Sequence, residues 1–121
     1  MNPKTFALEE RLIQFSLSII DIVEKLPKTK VGNYIAGQII RSGLSPSFNY
    51  GEAQVAESRT DFIHKMKIAL KELKETLVTL KIVQRKPLLS DSNLIDSLIT
   101  ECGELIAIFV KSIETAKKNQ N

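Results

Sequence analysis

The stretch that decides the fold runs from Ser58 to Lys86, SRTDFIHKMKIALKELKETLVTLKIVQRK. Within it Phe62, Met66, Ala69, Leu73, Thr76, Leu80 and Val83 step by four and three, the spacing of a left-handed helix-packing seam. The alternation of apolar and polar residues that a half-buried strand needs is absent. Ser58 followed by Asp61 forms a capping arrangement, with Asp in the place of the usual Glu or Gln. At the other end Lys81, Arg85 and Lys86 suit the negative end of the helix dipole, and Pro87 stops the helix.

Outward from this helix, the chain divides at its four prolines, Pro3, Pro27, Pro46 and Pro87. Before Pro27, Leu8, Leu12, Phe15, Ile19, Ile22 and Leu26 fall on one side of a helix, while Phe6, Ile13, Ile20 and Val23 broaden its apolar arc. The segment from Val31 to Ala56 keeps helical spacing through Phe48, Tyr50, Ala53 and Val55, but it contains Gly43, several serines and Pro46. Proline has no N–H and its ring clashes with the carbonyl four residues back, so a helix kinked near Pro46 is predicted here in preference to a loop. After Pro87, either Ser90 or Asp91 caps a fourth helix. Its two apolar rows are Leu94, Leu98, Cys102, Leu105, Phe109 and Ala116, and Ile95, Ile99, Ile106 and Ile113. The tail 117–121 is polar and is expected to fray. Four helices joined by short connections predict an all-α, antiparallel up-down-up-down four-helix bundle occupying 1–121 as one domain.

Composition agrees and narrows the chemistry. The chain has 121 residues, with 43% hydrophobic and 26% charged, enough for one domain. One Cys excludes an internal disulfide framework, and no apolar run reaches the length of a membrane helix. The start carries no basic segment followed by an apolar core, so no secretory signal is read and the cytoplasm is the expected location. A single His, His64, and a single Cys, Cys102, limit nucleophilic and zinc chemistry, and one His cannot build the two-helix Glu-x-x-His sites of di-iron bundles. No Gly-rich phosphate loop is present. No catalytic residue, metal site or cofactor is therefore expected. His64 reads as an isolated surface or satisfied side chain, and Cys102 as a small buried hydrophobe.

Two polar patterns remain. On the third helix Lys67, Lys71, Lys74, Lys81 and Arg85 are spaced by four, three, seven and four, which confines them to roughly an 80° arc away from the seam. Ser58–Lys86 holds eight basic and three acidic residues, a balance of +5 in a chain whose formal charge is +3. Such a stripe suits contact with a phosphate backbone and carries no base specificity. The same residues also make a good solvated helix face, and Val78, Glu72 and Glu75 interrupt or flank the stripe. On the second helix Gln38, Arg41, Ser45, Asn49 and Glu52 form a polar ladder at helical spacing. It fits a buried network that fixes the register of helices or subunits, a pocket in which Glu52 holds the Arg41 fork, or plain exposure.

The runs QIIRSGLSPSFNYGEA, 38–53, and DFI at 61–63, with Lys65 and IALKE at 68–72 leading to Glu75 and Thr76, resemble the bacterial four-helix-bundle family encoded in 23S ribosomal RNA intervening sequences. The resemblance covers most of the chain. It departs at Pro46 and Ser47, where the similar branch has a small Val-Gly-type pair, and at Val78 and Thr79, where it often has aromatics. It implies a ring of five bundles. Related accessory proteins of diversity-generating retroelements are basic pentamers that bind nucleic acid and a reverse transcriptase. The resemblance carries over the polar set Gln38, Arg41, Ser45, Asn49 and Glu52, joined by Glu75 on the next helix, and makes none of them catalytic. The expectation is a non-catalytic, pentameric homo-oligomer that binds RNA or DNA through Lys67, Lys71, Lys74, Lys81 and Arg85. The alternative is a scaffold that docks a protein partner and does not bind nucleic acid.

Overall fold

The computed structural model describes residues 2–119. These residues form four α-helices and no strand: α1 (Pro3–Lys25), α2 (Lys30–Gln54), α3 (Arg59–Arg85) and α4 (Ser92–Lys118). Every helix starts on a side chain that accepts a hydrogen bond from an otherwise unpaired backbone N–H. Asn2, Thr29, Ser58 and Asp91 accept from the amides of Thr5, Gly32, Asp61 and Leu94 respectively. Asp91 is thus the cap of α4. Pro3 sits in the first turn of α1, where its missing N–H costs nothing. At the far end of α4 the helix includes Lys117 and Lys118, the first two residues of the expected tail. Gln120 and Asn121 lie outside the described residues.

Adjacent helices run antiparallel. Ser16 of α1 meets Ser47 of α2 while Ile19 meets Gly43, so numbers rise on one helix as they fall on the other. Lys65 pairs with Glu52 while Thr76 pairs with Ser42, which orients α3 against α2. Cys102 reaches Leu73 while Asp96 reaches Gln84, which orients α4 against α3. α1 packs on α2 and α4 but not on α3, so α1 and α3 stand at diagonal corners.

The core gathers one stripe from each helix: Phe15, Ile19 and Ile22, then Ile39, then Met66, Leu73 and Leu80, then Leu105 and Phe109. Tyr50 meets Phe109 edge-on, with ring centroids 6.0 Å apart. Six of the seven residues of the α3 seam are buried as their spacing predicts. At its start Ile63 is buried and Phe62 only half-buried. α1 behaves alike, burying Leu12, Phe15, Ile19, Ile22 and Leu26 and leaving Leu8 half-covered.

α2 remains helical through Pro46, which is buried inside it. Gly43 lets α2 approach α1 closely, since a Cβ there would come within 2.8 Å of Ile19 Cγ1 and Cγ2. Gly32 packs under the turn between α1 and α2, where a Cβ would fall 1.9 Å from the Pro27 carbonyl oxygen. None of the helices among the described residues is long and apolar enough to cross a membrane.

Candidate nucleic-acid interface

Burial of the α3 seam fixes which way the rest of α3 points. Lys67, Lys71, Lys74, Lys81 and Arg85 are all exposed. None of the five forms an ion pair among the described residues. The acids that flank them on α3 are taken up by α2. Arg41 Nη1 donates to Glu72 Oε2 at 2.8 Å, and Arg41 Nη2 donates to Glu75. Hydrogen bonding and charge from Glu72, and then from Glu75, hold the Arg41 guanidinium firmly protonated. The acids therefore do not neutralise the stripe by pairing with its lysines, as the sequence alone would suggest. Two apolar side chains, Val78 at 59% and Ile82 at 49% exposure, interrupt the stripe.

The polar set of α2 is not one network. Gln38, Arg41 and Glu75 share a cluster, in which Gln38 Nε2 donates to the Tyr34 hydroxyl at 3.2 Å and Gln38 Oε1 accepts from Arg41 at 3.4 Å. Asn49 Nδ2 donates within α2, to Ser45 Oγ at 2.9 Å and to the Ser45 carbonyl at 3.1 Å. Glu52 accepts from Lys65 Nζ at 3.1 Å. Glu52 does not hold Arg41: it lies three turns along the same helix, and Glu72 and Glu75 occupy the fork. The ladder is also not interior, since the Arg41 side chain is 52% exposed. It lies along the α2/α3 seam.

The buried polar link is a different pair. Ser42 and Thr76 are fully buried, with Thr76 Oγ1 2.9 Å from Ser42 Oγ and 2.8 Å from the Glu72 carbonyl oxygen. A threonine in an otherwise apolar seam needs a partner, and that requirement was the available signal for it. A second ion-pair cluster joins α1 to α4. Arg11 donates from Nε to Glu101 Oε2 at 2.7 Å and from Nη2 to Glu101 Oε1 at 2.8 Å and Glu104 Oε1 at 2.6 Å. Its sequence trace is a basic residue amid the apolar rows of α1 and two acids three apart on α4.

Little here suggests chemistry. His64 is exposed, and no group of three or more His, Cys, Asp or Glu side chains among the described residues could hold a metal. Cys102 is fully buried and donates from Sγ to the Leu73 carbonyl at 3.3 Å. Burial pushes its thiol up to about 12, far from a reactive thiolate.

No curated protein matches the chain. A crystal structure of a protein with unknown function from the S23 ribosomal protein family of Bacteroides thetaiotaomicron VPI-5482 is similar, with 29% identity and a TM-score of 0.82. The match covers 92% of this chain and 98% of that one. The family model described as 23S rRNA-intervening sequence protein matches residues 5–111, which take in the α2/α3 seam, the Arg41 cluster and the whole basic stripe. The chain belongs to the 23S rRNA-intervening sequence protein family.

Proposed function

We propose that the protein is a non-catalytic, self-assembling, cytoplasmic helical bundle whose α3 face holds the phosphate backbone of RNA or DNA. The observation that carries this reading is the outer face of α3, where five exposed cations run from Lys67 to Arg85 with their neighbouring acids engaged elsewhere. They extend over about 27 Å of helix, long enough to meet several phosphates.

Assembly is supported from the opposite corner. Phe6, Ile13 and Leu17 on α1 are exposed large apolar residues at helical spacing. Because α1 and α3 are diagonal, copies joined through the α1 corner would leave every stripe outward. A ring of five, each of formal charge +3, would carry +15 and multiply weak phosphate contacts.

Light-scattering mass tests this, measured at low and high salt with and without a short generic RNA duplex. The expected result is a mass near five subunits that rises with RNA at low salt alone. A mass indifferent to RNA would overturn nucleic-acid binding, and a monomer would overturn assembly.

Val78 and Ile82 favour a second reading, since exposed apolar side chains within the stripe suit a protein surface better than a phosphate backbone. On that reading the assembly is a scaffold, and a specific protein stays bound after nuclease treatment.

A further inference from the structure

At the end of the bundle where α1 begins and α4 finishes, a groove opens across the α1/α4 seam. It consists of two hollows, about 490 and 720 Å³, that share Lys4, Phe62, Ile108 and Ser112. The seam is sparsely packed, and the side chains that reach it at this end include the short Ala7, Ala107 and Ser112. Phe62 is the residue missing from the buried seam of α3. It lies half-buried in the groove.

The lining is apolar and the rim is cationic. Phe62 and Ile108 form the apolar part, with the buried Tyr50 at one wall. Burial, partly offset by hydrogen bonding with Thr5, pushes the Tyr50 phenol above its ordinary range, so it remains neutral. Lys4, Arg59 and Lys111 all line the larger hollow, and none of them forms an ion pair among the described residues. Arg11 also borders the groove, but Glu101 and Glu104 occupy its guanidinium. The volumes are those of small-ligand sites, which typically combine an apolar lining with a few convergent polar groups.

We propose that this groove binds a small amphipathic anion, with its alkyl chain against Phe62 and Ile108 and its carboxylate among Lys4, Arg59 and Lys111. The site is separate from the α3 stripe, and its occupancy does not depend on nucleic-acid binding.

The test is a titration of the ¹⁵N-labelled full chain with decanoate below its micellar range, with decyltrimethylammonium as the matched cation. Decanoate is expected to shift the amides of Phe62, Ile108 and Ser112 saturably, and the cation is expected to leave them in place. Lys4→Gln with Lys111→Gln, both at exposed positions, should weaken decanoate about tenfold. Ala107→Trp, which fills the larger hollow from an exposed position, should abolish the shifts. The proposal is overturned by an absence of saturable shifts, by an equal response to the cation, by shifts confined to Lys67–Arg85, or by unchanged affinity in the double variant.

Discussion

The inward and outward sides of α3 treat polar groups in opposite ways. Inward and along the α2 seam, each is engaged: Thr76 with Ser42, Glu72 and Glu75 with Arg41, and the Leu73 carbonyl with the Cys102 thiol. Outward, five cations stand without an ion pair among the described residues. The difference separates two uses of polarity in one helix. A buried polar atom must have its partner, so it fixes how two helices slide against each other. A solvated lysine costs little where it stands and keeps its charge available to a partner.

The largest effect should come from emptying the outer side. Replacing Lys67, Lys71, Lys74 and Arg85 together by Gln is expected to weaken binding to a generic RNA duplex by on the order of a hundredfold at low salt. The slope of log affinity against log salt should fall by about 3 to 4. Thermal unfolding should barely move, because exposed substitutions remote from caps and core stay within about 0.5 kcal/mol. Unchanged affinity would remove the outer side from function altogether.

Next in size is the inner side. Thr76→Val leaves the fully buried Ser42 hydroxyl without its cross-helix partner and should cost about 1 to 3 kcal/mol in urea unfolding. Adding Ser42→Ala should recover part of that loss, since both ends of the link are then apolar. A single variant as stable as the parent would show that the link does not fix the α2/α3 register.

The smallest effect tests the boundary between the sides. Arg41→Gln releases Glu72 and Glu75 from α2, and Glu75 lies one turn from Lys71 on the same helix. RNA affinity should then fall about twofold to threefold, although Arg41 is outside the stripe. If affinity holds under the same titration, the Arg41 clamp does not control the charge of the outer side.

Periodicity in the sequence was enough to assign inside and outside. Met66, Ala69, Leu73, Thr76, Leu80 and Val83 are buried and Lys67, Lys71, Lys74, Lys81 and Arg85 are exposed, because a 3.6-residue repeat fixes the angular position of every side chain once one face is known. The caps at Ser58 and Asp91 were equally local. What the repeat does not contain is the axial register between helices. The ladder spacing offers Arg41 no carboxylate but Glu52 on its own helix, one of three readings, whereas the sliding of α2 along α3 brings Glu72 and Glu75 to it. The Arg11 fork depends in the same way on how α1 meets α4. Phe62 departs from the seam at the very end of the bundle, where fewer neighbours remain to cover it and the groove begins.

The α1/α4 seam differs from the other three in having no connection of its own. Residues 26–29, 55–58 and 86–91 tether the other neighbouring pairs, so those pairs meet at high effective concentration. α1 and α4 are joined only through the rest of the chain, and Arg11 reaches a carboxylate 90 positions away. Closing contacts at such separation costs more chain entropy, and a sparsely packed seam opens more readily than a densely packed one. The Arg11 fork is then a latch across the one neighbouring pair that no connection tethers, and the groove lies beside it.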